Sequence, residues 1–396
     1  MTDSDALYLD DALYLDYAAS TPPAREVARA MAACLSGREP FANPSSTHAS
    51  GRAAGNAVDE ARARLGALLN ASPRDLLFTS GATESDNLAI AGAARFRAHR
   101  GRHLVTMPTE HKAVVDTFRA LEKQGFDVTW LRPGTDGVLD IVQLEAALRD
   151  DTQLVSVMHV NNETGIVQDI GAIGALCRDR DVLFHTDAAQ SVGKLPIDLA
   201  SLPVDLLSLT AHKFYGPQGI GALYVANRDG CGVEPLLHGG GQERRLRPGT
   251  LPLHQVVGLG AAAALASERQ ADDLRHMQVL RDQLWNGLQK LPGLHLNGAP
   301  EQQYPGILNV SADGVDGESL MLALEPLEVA SGSACNSLSK EPSYVLRALG
   351  RDDALAQSAI RFSFGRPTRA ADIERATDIY CAAITRLRAL APQAAG

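Results

Sequence analysis

From about residue 25 to residue 265, short apolar runs alternate with Ala- and Arg-rich stretches of helical period. The apolar runs are 76–79, 104–106, 128–131, 154–160, 182–185, 206–209 and 222–225. The helical stretches between and before them are 58–69, 86–97, 113–124, 141–148 and 173–180. Strands that point the same way need crossover connections, and helices are the crossovers that cover both faces of a sheet. The alternation therefore predicts an α/β fold, a large domain with a mostly parallel seven-stranded sheet. Sheets of this kind place ligands at the carboxyl ends of their strands. The polar clusters fall there: Ser80-Gly81-Ala82-Thr83, Asn161-Asn162-Glu163, Asp187 and Lys213.

Beyond a Gly-rich turn, His238-Gly239-Gly240-Gly241-Gln242, a long helical region runs from Leu253 to about Lys290. It leads to a smaller α+β domain that ends in an Arg/Ala-rich helix over 372–390. A chain of 396 residues exceeds one average domain. The division expected is 1–24 as a segment joining the small domain, 25–265 as the large domain and 266–396 as the small one. Asp5-Ala6-Leu7-Tyr8-Leu9-Asp10 recurs at once as Asp11-Ala12-Leu13-Tyr14-Leu15-Asp16. The second copy is read as the structural strand because it runs directly into Tyr17-Ala18-Ala19-Ser20.

The formal charge of −10 offers no bulk attraction to nucleic acid or anionic membrane. No apolar stretch reaches the roughly 20 residues of a membrane span, and the acidic start lacks the basic region of a signal peptide. Five cysteines, few and widely spaced, fit a reducing compartment, and none forms a metal-ligand pattern. A cytoplasmic protein without a metal site is expected.

Two buried strands that end in Asp187 and just before Lys213 suit pyridoxal 5'-phosphate (PLP). A lysine holds the cofactor's aldehyde and a carboxylate keeps its pyridine nitrogen protonated. Only six lysines stand against 31 arginines, and Lys194 and Lys112 make weaker versions of the same case. The turn Ser80-Gly81-Ala82-Thr83-Glu84-Ser85 suits a phosphate at a helix N-terminus, or a simple helix cap. Asp187 also reads as a cap, with Gln190 one turn on. His111 follows a strand and could stack on a cofactor and move protons, or be structural. Cys335 lies in a small-residue loop, Ser331-Gly332-Ser333-Ala334-Cys335-Asn336, where a nucleophilic and a structural thiol both remain open. Arg361 could grip a carboxylate with two parallel hydrogen bonds, or form a surface ion pair.

Taken together, these residues resemble the cysteine desulfurases of PLP fold type I, in particular the housekeeping iron–sulfur-cluster group. The resemblance runs from about Tyr14 to Pro392. It is carried by Tyr14-Leu15-Asp16-Tyr17-Ala18-Ala19, by 78–87, 109–112, 157–163 and 185–194, by His212-Lys213, and by 331–335 and 341–349. It implies that Lys213 carries the cofactor, Asp187 pairs with its pyridine nitrogen, and His111 stacks on the ring as acid/base. It implies contacts from Gln190 and Asn162 to the phenolic oxygen and nearby atoms. It assigns the phosphate to Ala82, Thr83, Thr210 and His212, with Thr250 from the other subunit of a homodimer. Arg361, with Asn162, would hold the carboxylate of L-cysteine. The Cys335 thiolate would take the sulfur as a persulfide, L-alanine would leave, and the sulfur would pass to acceptors.

The acceptors so implied are an iron–sulfur scaffold protein and sulfur carriers, with tRNA thiolation as a further outlet. Asn336, Ala42 and Pro248 depart from the family pattern. The chain also ends at Gly396, without the longer tail that many housekeeping members carry and that is associated with docking the cluster scaffold. A selenocysteine lyase would not need Cys335. A class V aminotransferase would need an amino acceptor, and a non-catalytic platform would be expected to lose Lys213 or Cys335.

Overall fold

The computed structural model describes residues 12–37, 39–331 and 341–390; the first repeat copy (5–10) and the Cys335 segment (332–340) lie outside them. Strand β1 (Leu13–Tyr14) precedes helices α1 (Arg25–Leu35) and α2 (Ala49–Leu69). Then come β2 (Leu76–Thr79), α3 (Ala82–Phe96), β3 (His103–Thr106), α4 (Lys112–Lys123), β4 (Asp127–Trp130), α5 (Ile141–Ala147), β5 (Thr152–Ser156) and α6 (Ile170–Asp179). They are followed by β6 (Leu183–Asp187), β7 (Leu206–Thr210), β8 (Gly221–Val225) and the long α7 (Leu253–Leu288). The remainder is β9 (Leu294–Leu296), β10 (Ile307–Ala312), α8 (Gly317–Ala323), β11 (Leu327–Glu328), β12 (Ala330–Ser331), α9 (Tyr344–Ala348), α10 (Asp353–Gln357), β13 (Ile360–Ser363) and α11 (Ala370–Leu390).

Seven strands form one sheet in the order β2-β8-β7-β6-β5-β3-β4, and β8 alone runs against the others. Its central strands are buried along their whole length, which suits sequences that are mostly apolar without a polar alternation. One face packs on α2, α6 and α7 through residues such as Leu65, Phe184 and Leu259; the other packs on α3 and α4 through Ile90, Leu104 and Phe118. β6 and β7 are parallel neighbours, with Asp187 opposite Ser208, so Asp187 and the segment after Thr210 emerge at the same edge.

A four-stranded sheet, β12-β13-β10-β9, packs on the second half of α7, on α8 and on α11 around Leu284, Phe362 and Tyr380. The N-terminal segment joins this second layer: β1 pairs with β11, and Asp16 bridges to Ser363. The expected alternation is present, with two shifts. α2 starts at Ala49 rather than residue 58, because its first turns pack through small residues, Gly51 and Ala54, that leave no apolar stripe. The strand expected over 154–160 leaves the regular ladder after Ser156, although the Val157 and His159 N–H groups still donate to the His185 and Asp187 carbonyls. No helix among the described residues is long and apolar enough to cross a membrane.

Gly260 makes the α2–α7 contact possible. A Cβ there would lie 2.6 Å from the Ala61 Cα. Alanine ordinarily stabilises a helix interior over glycine by about 1 kcal/mol. Here the backbone of α2 would have to move, so Gly260→Ala is expected to destabilise by about 1–3 kcal/mol, read from the midpoint of denaturant unfolding.

Candidate active site

The carboxyl edge of the large sheet opens into a cleft of about 450 Å³. Lys213 lies in its wall, in a 3-10 turn after β7, and its Nζ donates to the Ala18 carbonyl at 2.5 Å and the Ala19 carbonyl at 2.8 Å. The N-terminal segment therefore crosses directly over this lysine. It is fastened there by Thr21, whose N–H and hydroxyl both donate to the His212 carbonyl at 2.8 Å. Lys194 and Lys112 do not line this cleft. Lys194 stands behind Gln190 in an adjoining cavity, and Lys112 opens α4 beside a separate groove.

Asp187 closes β6 and is buried, accepting a hydrogen bond from the Ala189 N–H at 2.8 Å. Burial pushes its carboxyl above the usual range, and the His111 and Lys213 charges pull the other way. His111, Asp187 and Asp86 bring a ligand atom each within 4.8 Å of one another. Asp86, on α3, is fully buried and was not singled out in the sequence. Its carboxyl is pushed far upward by desolvation and then by the Asp187 charge. An acid on the buried face of a helix otherwise lined by Leu88, Ala89 and Ala93 was the signal for it. His111 caps α4, its Nδ1 accepting the Ala113 N–H at 3.1 Å, which leaves Nε2 to carry the proton of the neutral ring.

At the other end of the cleft α3 begins. Gly81 precedes it with φ +152°, a conformation that favours glycine, and it supplies no capping side chain. The first-turn N–H groups and the positive end of the helix are thus presented beside Ala82, Thr83, Thr210 and His212, all of which line the cleft. Burial and the neighbouring lysines lower the His212 imidazole to about 4, so it is neutral at physiological pH. Backbone approach is close here: a Cβ at Gly221 would lie 2.7 Å from the Gly81 Cα.

Arg361, from β13, is buried and reaches the cleft from the second sheet. It donates to the Asn162 carbonyl at 2.7 Å and pairs with the Asp16 carboxylate at 2.6 Å, leaving a buried Nε without a partner. Gln190 sits between Ala18 and Lys194, and Asn162 lines the same cleft. Glu163 is buried beside them; desolvation raises its carboxyl to about 7, and it accepts the Ser343 hydroxyl at 2.5 Å. Of the predicted residues, His111, Ala82, Thr83, Asn162, Asp187, Gln190, Thr210, His212, Lys213 and Arg361 share this one cleft. Thr250 does not; it is exposed on the loop before α7. Cys335 lies outside the described residues. The Ala18 and Ala19 carbonyls and Asp16 were missed as parts of the site, because backbone acceptors and a salt-bridge partner leave no mark of their own in a motif.

The aminotransferase class-V family model matches residues 13–376. The chain is 55% identical over 381 residues to the cysteine desulfurase IscS of Pectobacterium atrosepticum, covering 96% of this chain and 94% of that protein. It is 54% identical to the cysteine desulfurase IscS of Klebsiella pneumoniae, with the same coverage of 96% and 94%. Among solved structures, a NifS-like protein superposes with a TM-score of 0.88 at 34% identity, covering 95% of this chain and all (100%) of the other. SspA in complex with cysteine superposes with a TM-score of 0.78 at 40% identity, covering 89% and 98%.

Proposed function

Because this chain belongs to the class-V aminotransferase family, and within it to the cysteine desulfurases of the housekeeping kind, we propose that the Lys213 cleft holds PLP and converts L-cysteine to L-alanine with Cys335 as sulfur acceptor. The observation that carries this reading is the single cleft in which a lysine amine, a buried carboxylate, an uncapped helix N-terminus and a buried arginine meet. The residues suit the cofactor. Asp187 is a desolvated carboxylate that a pyridinium would neutralise, and the α3 N-terminus suits a phosphate. When bound, PLP supplies an electron sink conjugated to the substrate's α-carbon.

Lys213 would hold the aldehyde carbon, and Asp187 would keep a proton on the ring nitrogen. Ala82, Thr83, Thr210 and His212 would hold the phosphate, with Asn162 and Gln190 as further contacts to the cofactor. His111 offers the proton on its Nε2. Arg361 binds the substrate carboxylate, which replaces Asp16 on the guanidinium, and the Asn162 carbonyl keeps that guanidinium in place. The Cys335 thiolate attacks the substrate sulfur, forming an S–S bond as the C–S bond breaks. The electron pair of the broken bond stays with the carbon skeleton, which takes up protons and leaves as alanine.

The persulfide sulfur would go to an iron–sulfur scaffold protein and to sulfur carriers, in a reducing cytoplasm where thiols persist. The exposed Thr250 loop supports a homodimer in which each protomer completes its partner's phosphate site. Residues 25–265 and 266–396 would act as large and small domains.

With PLP, L-cysteine and a reductant, the protein is expected to release alanine and sulfide in equal amounts, measured by amino-acid analysis and a sulfide assay. Absence of sulfide would overturn the reading. Arg361→Lys keeps the charge but loses the two-pronged grip. It is expected to raise the KM for L-cysteine by roughly tenfold, with the cofactor's visible absorbance unchanged.

A further inference from the structure

We propose that Lys194 is a positioning residue that holds the Gln190 carboxamide by its oxygen and so turns an amide N–H toward the cleft beside Lys213; the inference rests on the PLP reading and deepens it. Lys194 Nζ donates to Gln190 Oε1 at 2.8 Å. Gln190 Nε2 in turn donates to the Ala18 carbonyl at 2.8 Å, the same oxygen that accepts the Lys213 amine at 2.5 Å. The four groups form one line, Lys194–Gln190–Ala18–Lys213, running from the adjoining cavity into the active-site cleft.

The chemistry of each end fixes the amide between them. A lysine amine donates to Oε1 in either protonation state, and a backbone carbonyl only accepts. Oε1 must therefore face Lys194, and Nε2 must face Ala18. Nε2 carries two hydrogens and the Ala18 oxygen uses one. The second is left for an acceptor in the cleft, which Gln190 lines. Because Gln190 and Lys213 share an acceptor, that N–H lies next to whatever the lysine holds. On a pyridoxal ring the substituent beside the aldehyde is the phenolic oxygen, an anion that such a donor would stabilise. Donation to Oε1 also polarises the amide and strengthens its N–H as a donor.

The other contact of the Lys194 amine is with an aromatic face. The amine lies over the Tyr304 ring, 5.5 Å from the centroid. Burial, then the Lys213 and Arg361 charges, push its pKa well below that of an ordinary lysine. Such a costly position is consistent with a fixed task.

The test is a pH titration of the visible absorbance of the PLP-loaded enzyme without substrate. Losing a donor to the phenolic oxygen leaves the neighbouring proton more tightly held. Lys194→Met is therefore expected to raise the midpoint by roughly half to one pH unit, while Lys194→Gln, which keeps an N–H without the charge, stays nearer to wild type. Asp187, His111, His212, Lys213 and Arg361 face the same site from the other elements, and Tyr215, Tyr304 and Asp273 face Lys194 from behind. None of these is altered by the substitution.

Charge removal alone would shift the midpoint in the same direction, so the deciding measurement is made in a Gln190→Ala background. There Lys194→Met is expected to add no shift. The same shift in both backgrounds would mean that Lys194 acts through its charge, and would overturn the assignment, as would no shift in the single variant. A visible band that survives in Lys213→Ala with its titration unchanged would instead sink the PLP reading, and this inference with it.

Discussion

Lys213→Ala is expected to lower alanine formation from L-cysteine by roughly a thousandfold or more, and to abolish the attachment of PLP that borohydride would otherwise make permanent. Both follow from the place of the amine. β7 is buried along its length and delivers the lysine into the cleft wall. The Ala18 and Ala19 carbonyls hold the amine there. Two hydrogen bonds to carbonyls can be given up when the nitrogen engages an aldehyde. The fold is expected to survive the substitution, because the segment above Lys213 is also tied down by Thr21 to the His212 carbonyl and by the Tyr215 N–H to the Thr21 hydroxyl. Thermal unfolding of the variant should thus stay close to wild type while the cofactor is released on denaturation. Retention of wild-type turnover by Lys213→Ala would remove this lysine from the chemistry.

The large sheet was legible in the sequence because its central strands are buried on both faces, and burial on both faces leaves mostly apolar runs without a regular polar alternation. Leu206-Leu207-Ser208-Leu209 and Leu183-Phe184 show this most directly. The polar residues that close those runs were legible for the same reason: Asp187 and Lys213 stand where the apolar runs stop. The start of α2 was not legible, since Gly51 and Ala54 pack by being small and leave no stripe. Asp16 was hidden differently. It sits in a strand-like segment near the N-terminus, and only the bridge to Ser363 in the second sheet brings it onto Arg361. Lys194 was visible as a rival to Lys213. What separates them is that Lys213 lines the active-site cleft as well as the adjoining cavity, whereas Lys194 lines the adjoining cavity alone, a placement that spacing does not determine.

Cys335→Ser is expected to cut alanine formation by roughly a thousandfold while leaving the PLP absorbance and its pH titration unchanged. The described flanks of the Cys335 segment supply the reason. Upstream, β12 pairs with β13 so that Ala330 stands opposite Arg361, and the chain leaves at Ser331 beside the residue proposed to hold the substrate carboxylate. Downstream, Ser343 donates to buried Glu163, next to Asn162, and the Tyr344 hydroxyl donates to the Glu110 carbonyl, next to His111. Both ends of the segment are therefore moored to the substrate side of the cleft. Cys335 lies in the sequence between these two described flanks. A serine hydroxyl is close to cysteine in size but is not ionised at neutral pH and makes no persulfide. Radiolabelled sulfur from L-cysteine should remain on the wild-type chain after desalting and be absent from the Cys335→Ser chain. The other four cysteines give no competing signal in this assay on two grounds. Burial raises the Cys34, Cys177, Cys231 and Cys381 thiols above their ordinary pKa, and none of them lines the cleft. Label retained by Cys335→Ser, or alanine released at the wild-type rate, would show that sulfur leaves the substrate by a route that does not use this thiol.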